Sequence, residues 1–247
     1  MSLHLTHNRR INQNLEALAR QLYDYWFVQF DFPDANGKPY KSNGGKMVWN
    51  EKLKREIPEG WEDKSLLDIA TFTNGVACQK YRSKSADKSL PVIKIKEMHD
   101  GFSSETEFVS SDIPESAVVH NGDILFSWSA SLEVMLWNYG IGGLNQHIFK
   151  VIPRKFPKSF LYFQLCDYIK VFKHIAELRK TTMGHITRDH LEQSAIAIPN
   201  NTIITDMFEE KIAPIFDAIT INHSEMMALI KQRDELLPLL MNGQVSL

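Results

Sequence analysis

Gln232-Arg-Asp-Glu-Leu-Leu-Pro-Leu-Leu-Met-Asn-Gly-Gln-Val245 closes a long segment patterned for helix packing. Counting back from Leu240, the positions Leu236, Arg233, Leu229, Met226, Asn222, Ile219, Ile215, Ile212 and Phe208 alternate steps of four and three. That spacing is the seam of a helix lying lengthwise on another. Eight of the ten positions are apolar. Asn222 and Arg233 interrupt the seam, and a polar group there fixes register and partner more than it adds stability.

A matching seam lies at the other end. Ile11, Leu15, Leu18, Leu22 and Tyr25 repeat the spacing, and Pro33 with the Asn36-Gly37 turn signal is expected to stop that helix. A helix from roughly Thr205 to Met241 is about 55 Å long at 1.5 Å per residue, so part of it should project as an arm. Pro214 and Pro238 should kink or restart it. The aromatic run Tyr23, Tyr25, Trp26, Phe27, Phe30 and Phe32 reads as a core plug against a neighbouring domain, in preference to a stacking platform for bases.

Working inward, residues 1–32 form the first helix. Residues 33–56 form a connector rich in turn residues, 57–200 a mixed domain, and 201–247 the last helix. Strand-like runs lie at Leu90–Ile95, Asp123–Ser129, Glu133–Trp137, His147–Ile152 and Ser194–Ile198. Phe160–Leu178 carries Leu161, Leu165, Tyr168 or Ile169, Phe172 and Ile175 at helical spacing, an amphipathic helix against the sheet. The expected fold class is therefore α+β: one mixed α/β domain framed by long helices that form a coiled-coil or helical-bundle arm.

The chain has 247 residues, 43% hydrophobic and 23% charged, which allows one or two domains with a real core. No apolar run reaches membrane-spanning length and no signal-peptide core follows the N-terminus, so a cytoplasmic protein without a membrane partner is expected. Cys78 and Cys166 stand in unrelated contexts, which argues against a disulfide framework or a zinc site. Both read as packing residues. The net charge of −2 is unevenly spread. Lys80, Arg82, Lys84, Lys88, Lys94 and Lys96 face Asp87 alone in one block, and nine basic residues lie between Lys150 and Arg188. Between them, Glu97 to Glu133 holds eight acids and no Lys or Arg. This suggests basic loops facing a polyanion with the acidic stretch turned away. Lys94 and Lys96 are expected to alternate on a strand.

Catalytic constellations are absent from this reading. Asn43-Gly-Gly-Lys-Met47 lacks the spacing and hydroxyl of a phosphate loop, and Gly140-Ile-Gly-Gly-Leu-Asn145 reads as a tight loop, not a dinucleotide turn. His185 and His190 lack the spacing and glutamate of a zinc helix. Ser127, Ser129 and Ser131 lack a glycine elbow and read as strand-edge hydroxyls. No catalytic residue, metal ligand or cofactor is expected.

Five blocks in order carry a resemblance: Asn8-Arg-Arg-Ile-Asn-Gln-Asn-Leu-Glu-Ala-Leu-Ala-Arg20 through Trp26-Phe-Val-Gln-Phe-Asp31, Ile57-Pro-Glu-Gly-Trp-Glu62, Gly122-Asp-Ile-Leu-Phe-Ser127, Thr181-Thr-Met-Gly-His-Ile-Thr187, and the tail quoted above. Together they resemble the specificity subunit of type I restriction-modification systems, over nearly the whole chain. The resemblance implies a noncatalytic subunit that recognises double-stranded DNA and directs adenine methylation and restriction to a bipartite target. Its implied partners are methyltransferase (modification) subunits and, in the full complex, a restriction/translocase subunit. Usual members carry two target-recognition domains. This chain holds one, like a half-subunit, so a two-fold homodimer is expected to rebuild the helices and read an interrupted palindrome. The alternative is a coiled-coil dimeric adaptor that binds protein without DNA specificity.

Base-reading positions follow from side-chain chemistry, because the recognition domain is the family's variable part. Asn, Gln and Arg on loops can meet base edges, while Lys, Ser and Thr mainly position phosphates. The candidates are Lys80 and Arg82, then Asn145, Gln146 and His147, then Arg179, Lys180, Thr181, Thr182, His185 and Arg188. The last group is the strongest. For each member the bland reading is a solvated helix end, with Thr187 or Asp189 capping the next helix.

Overall fold

The computed structural model describes residues 2–82, 88–178 and 185–241. The chain opens with helix α1 (Ser2–Tyr23), followed by a single π-helical turn, Asp24–Val28. An antiparallel hairpin of β1 (Met47–Asn50) and β2 (Arg55–Pro58) comes next, then β3 (Trp61–Lys64), α2 (Leu66–Ile69) and β4 (Ala70–Asn74). A 3-10 turn at Cys78–Tyr81 leads to β5 (Ser89–Ile93), α3 (Ile95–Asp100), β6 (Phe108–Ser110) and β7 (Val118–Val119). The remaining strands are β8 (Ile124–Ser127), β9 (Glu133–Leu136), β10 (Gly142–Leu144), β11 (Ile148–Pro153) and, after two helices, β12 (Ile196–Pro199). Those helices are α4 (Lys158–Leu178) and α5 (Arg188–Glu192), and α6 (Ile203–Met241) ends the described chain.

Two four-stranded sheets make the body. One has the order β4-β11-β8-β9 and is antiparallel throughout; the other has the order β6-β5-β10-β7, with β10 parallel to β5. β12 pairs with β3 at the base, close to the start of α6. The expected α+β architecture with long flanking helices is what the chain adopts. Helix α4 packs on the first sheet as its spacing predicts, burying Leu161, Leu165, Ile169 and Phe172, and the Phe172 ring stacks on Phe126 of β8 at 6.0 Å.

α1 and α6 run antiparallel along each other, because Asn12 meets Asn222 at one end while the Tyr23 ring meets Phe208 at the other. The α6 seam buries Phe208, Ile212, Ile219 and Met226. Ile215, Asn222 and Leu229 are half-buried. Beyond them Arg233 and Leu236 are exposed, and the Leu240 side chain lies outside the described residues. The seam of α1 is rotated from the one read in the sequence. Leu5, Asn12, Ala19 and Trp26, seven residues apart, are buried, whereas Leu18 is 54% exposed. Leu15 and Leu22 border both lines and are half-buried, as is Ile11. An asparagine and an alanine on the true contact line carry no hydrophobic signal, so the sequence favoured the leucines beside it.

Two boundaries also move. α1 yields to the π-helical turn after Tyr23, and Phe30 takes a left-handed backbone (φ 65°), so the reversal precedes Pro33. The helix α6 passes Pro214 and Pro238 without interruption. Glu210 and Asp234, whose carbonyls lose their usual donors, stand on exposed positions where water can supply the bond. The aromatic plug forms: Tyr23, Trp26, Phe27, Phe30 and Phe32 are buried among Phe160, Phe163, Phe208 and Trp61, and only Tyr25 of that run is exposed.

Within the domain, the strand expected at Leu90–Ile95 ends at Ile93, and Lys94 and Lys96 instead sit at the start of α3. The glycine-rich stretch read as a loop contains strand β10. A Cβ on Gly142 would press on the Ile93 side chain and one on Gly143 on Val109, so these glycines serve close strand packing. The charge-block reading also changes. Lys94 pairs with Glu107 at 2.5 Å, Lys96 with Glu105 at 2.6 Å and Lys150 with Asp123 at 2.9 Å. The acidic stretch therefore neutralises part of the basic blocks and is not turned away from them.

Candidate nucleic-acid interface

One end of the first sheet gathers exposed polar side chains around an indole. Trp128 follows β8 directly, and its backbone is held on both sides: its N–H donates to His147 O at 3.3 Å and its carbonyl accepts from Ile186 N at 2.9 Å. Ala130, two residues on, takes a left-handed φ of 56°, which turns the chain sharply away from the strand. The ring lies 5.5 Å from His147, 5.7 Å from His185 and 5.9 Å from Phe149. Its Nε1–H donates to Asn74 Oδ1 at 3.0 Å, at the end of edge strand β4.

The loops converge through main-chain bonds. Val76 N donates to Leu144 O and Gln146 N to Val76 O, so the segment leading to Lys80 and Arg82 is tied to the turn after β10. Gln146 and His147 are exposed on that turn. Asn145 is buried, with its Oδ1 accepting from His147 N at 3.2 Å and its Nδ2 near Cys78 Sγ at 3.9 Å. Its amide shapes the turn from inside and does not reach outward. Burial also pushes the Cys78 thiol above its usual range.

Beside Trp128 opens a cleft of about 460 Å³ lined by Phe72, Phe149, Arg154, His185, Thr187 and Arg188, with no carboxylate in its lining. Arg154 spends its donors on Thr71 Oγ1 and Leu67 O, both neutral acceptors at 3.0 Å. Among the described residues, Lys80, Arg82 and Arg188 have no acidic partner. Thr187 caps α5 as the sequence suggested, accepting from the backbone of His190 while its own N–H donates to His190 Nδ1 at 3.0 Å. Thus Gln146, His147, His185 and Arg188 share one surface, with Lys80 and Arg82 on the adjoining segment. Arg179, Lys180, Thr181 and Thr182 lie outside the described residues.

Sequence reasoning missed Trp128 and Asn74. Trp128 falls within the strand-like run Asp123–Ser129, which marks a strand but not a surface site, and Asn74 reads as a turn residue of Asn74-Gly75. The signal available was the pairing of both with loops already singled out, and that pairing is visible only in three dimensions. Ser127 is no nucleophile candidate: it is fully buried, its hydroxyl bonds Ser131 O, and it accepts from Glu133 N. Among the described residues no cluster of three metal-ligating side chains forms, and no helix is long and apolar enough to cross a membrane.

Comparison with known proteins places this geometry. The chain is 25% identical over 250 residues to the type I restriction enzyme MjaIX specificity subunit of Methanocaldococcus jannaschii, covering 98% of this chain and 55% of that protein. It is also 25% identical to the type I restriction enzyme HindI specificity subunit of Haemophilus influenzae, covering 96% of this chain and 63% of that one. The chain thus spans between about half and two thirds of the length of these relatives. The crystal structure of the type I restriction-modification system S subunit from M. genitalium shares the fold, with a TM-score of 0.51 at 13% identity over 94% of this chain and 57% of that one. The family model for the type I restriction modification DNA specificity domain matches residues 58–234, which takes in both four-stranded sheets, the Trp128 surface and most of α6, and the chain belongs to that family.

Proposed function

We propose that this chain is a noncatalytic specificity subunit that recognises double-stranded DNA and directs adenine methylation, and in a larger assembly restriction, to a bipartite target. The carrying observation is the cleft beside Trp128, whose lining has Arg154, His185 and Arg188 and no carboxylate, with exposed Gln146 and His147 on the turn next to the same indole, in a chain of this family. Glutamine and arginine offer bidentate contacts to base edges, and the cations Lys80, Arg82 and Arg188 suit phosphates. Arg179, Lys180, Thr181 and Thr182 belong to the same proposal on sequence grounds, while Asn145 holds the Gln146–His147 turn.

In this reading residues 57–200 form the recognition domain, residues 1–32 and 201–247 the helical arm, and 33–56 their connector. One domain reads one half-target. A second copy, joined through the exposed end of α6, supplies the other half, and methyltransferase and restriction/translocase subunits dock on the assembly in the cytoplasm. The adaptor reading has one observation in its favour, the exposed apolar Leu236 and Leu237 on that helix end. The same residues serve the dimer.

Coexpression with its methyltransferase subunit in a host free of other adenine methylation, followed by sequencing of modified adenines, tests the proposal. A methylated bipartite motif is the expected result. A soluble complex that leaves the DNA unmodified and a chain that lacks duplex affinity at low salt would leave the adaptor standing.

A further inference from the structure

We infer that the cleft beside Trp128 receives one unstacked nucleotide of the bound DNA, its base against the aromatic wall and its phosphate on Arg154. This rests on the DNA-recognition reading above and adds a ligand and its site. The wall is continuous: the Trp128 ring lies 5.9 Å from Phe149, and Phe149 lies 5.7 Å from Phe72. Trp128 and Phe72 are only half-buried and line the cleft, whose volume of about 460 Å³ falls within the range of ligand-sized sites, about 300–1,000 Å³. Arg154 supplies a fixed charge. Its Nε–H donates to Thr71 Oγ1 and its Nη1–H to Leu67 O, which orients the guanidinium plane without neutralising it. Among the described residues no acid pairs with Arg154 or Arg188, and none lines the cleft.

An intact duplex offers nothing to such a wall. Its grooves present base edges and its backbone presents phosphates, while each base face is covered by the bases above and below. Aromatic rings gain stacking only from a base that has left that stack, and a nearby guanidinium then takes the phosphate that comes with it. The proposed methylation supplies such a base. Adenine N6 is reached only with the adenine drawn out of the helix, and that strips the opposite thymine of its pairing partner. The adenine goes to the methyltransferase, and the thymine remains beside the noncatalytic chain that holds the duplex. The identity of the base thus comes from the reaction and not from the cleft.

Permanganate oxidises thymines whose faces are uncovered, so it reads this site directly. The probe is applied to the full chain, in complex with its methyltransferase subunits, on a duplex carrying the motif that the complex methylates. With wild type, the thymine opposite the target adenine should stay protected. Trp128→Ala should raise its reactivity several-fold, while Trp128→Phe, which keeps a ring but loses the bond to Asn74, should keep most of the protection. Arg154→Gln, at an exposed position, should lower the slope of log affinity against log salt concentration by about one, the share of a single phosphate. That variant keeps the inference falsifiable should Trp128→Ala not fold. A thymine already reactive in wild type, reactivity unchanged by Trp128→Ala, protection lost alike with alanine and phenylalanine, or an unchanged salt slope overturns the inference. DNA recognition through the grooves then stands, and the cleft suits an acidic segment of a partner protein instead. A wild-type complex that methylates no motif removes the underlying reading and this inference with it.

Discussion

Asn12 and Asn222 join α1 to α6 across their buried seam. Asn222 Nδ2 donates to Asn12 Oδ1 at 3.0 Å, and Asn12 Nδ2 donates to Ile219 O at 3.3 Å. Asn222→Leu leaves the Asn12 oxygen buried without its donor and should cost about 1–3 kcal/mol in urea unfolding, whereas changing both to leucine should recover most of that loss. A double variant as unstable as the sum of two singles would show that the pair does not act as a unit. A second residue-scale effect follows from His223. Burial holds its imidazole below the usual histidine range, outweighing a bond with the Asn138 backbone, and its Nδ1 has no hydrogen-bond partner among the described residues. Because the unfolded state takes up the proton first, stability should fall as pH drops below about 6.5. His223→Gln should flatten that part of the profile, as read from urea midpoints between pH 7.5 and 5.5. Asn222 was legible in the sequence as a polar break in an apolar seam. Asn12 was not, because its own helix was read one face away.

At the scale of elements, the rotated seam of α1 gives opposite expectations for neighbouring residues. Ala19 is fully buried against α6, so Ala19→Leu overpacks the interface and should destabilise by about 1–3 kcal/mol. Leu18 is more than half exposed, so Leu18→Glu should stay within about 0.5 kcal/mol of wild type. The sequence reading predicts the reverse order, and denaturant midpoints decide between them. Long helices with dense apolar spacing, α4 and α6, were legible because their periodicity extends over many turns. The short strands β6, β7 and β10 were not. They hold three, two and three residues, too few for alternation to register, and in β10 two glycines fit because the neighbouring side chains leave no room for more. The Trp128 surface was half legible: its loops carry recognisable chemistry, but the indole that joins them lies in a run that reads only as a strand. The ion pairs that consume Lys94, Lys96 and Lys150 were invisible to a count of charges along the chain.

For the whole molecule the decisive feature is that α6 outruns its partner. Among the described side chains of α6, Met226 is the last that is buried, Leu229 and Ile230 are half-buried, and every position from Lys231 to Pro238 is exposed, with Leu236 and Leu237 at 45% and 51%. The stretch from Lys231 to Met241 runs about 16 Å beyond the half-buried Leu229 and Ile230. In the proposed homodimer, a second copy adding its own helix there would bury these leucines by two-fold symmetry, since each chain presents the same face. Leu236→Glu together with Leu237→Glu should shift sedimentation from dimer to monomer and remove the dependence of the unfolding midpoint on protein concentration. The proposed dimer also fixes what a change at the proposed reading surface does to the target. In a dimer of identical chains, each recognition domain reads the same bases in opposite orientation, so a single gene change alters both half-sites at once. Gln146→Ala should therefore relax the methylated motif at two positions related by the dyad, separated by a spacer that the paired helices hold constant. If only one half of the motif changes, the second domain comes from a different chain, and the exposed end of α6 serves a heterologous partner and not its own copy.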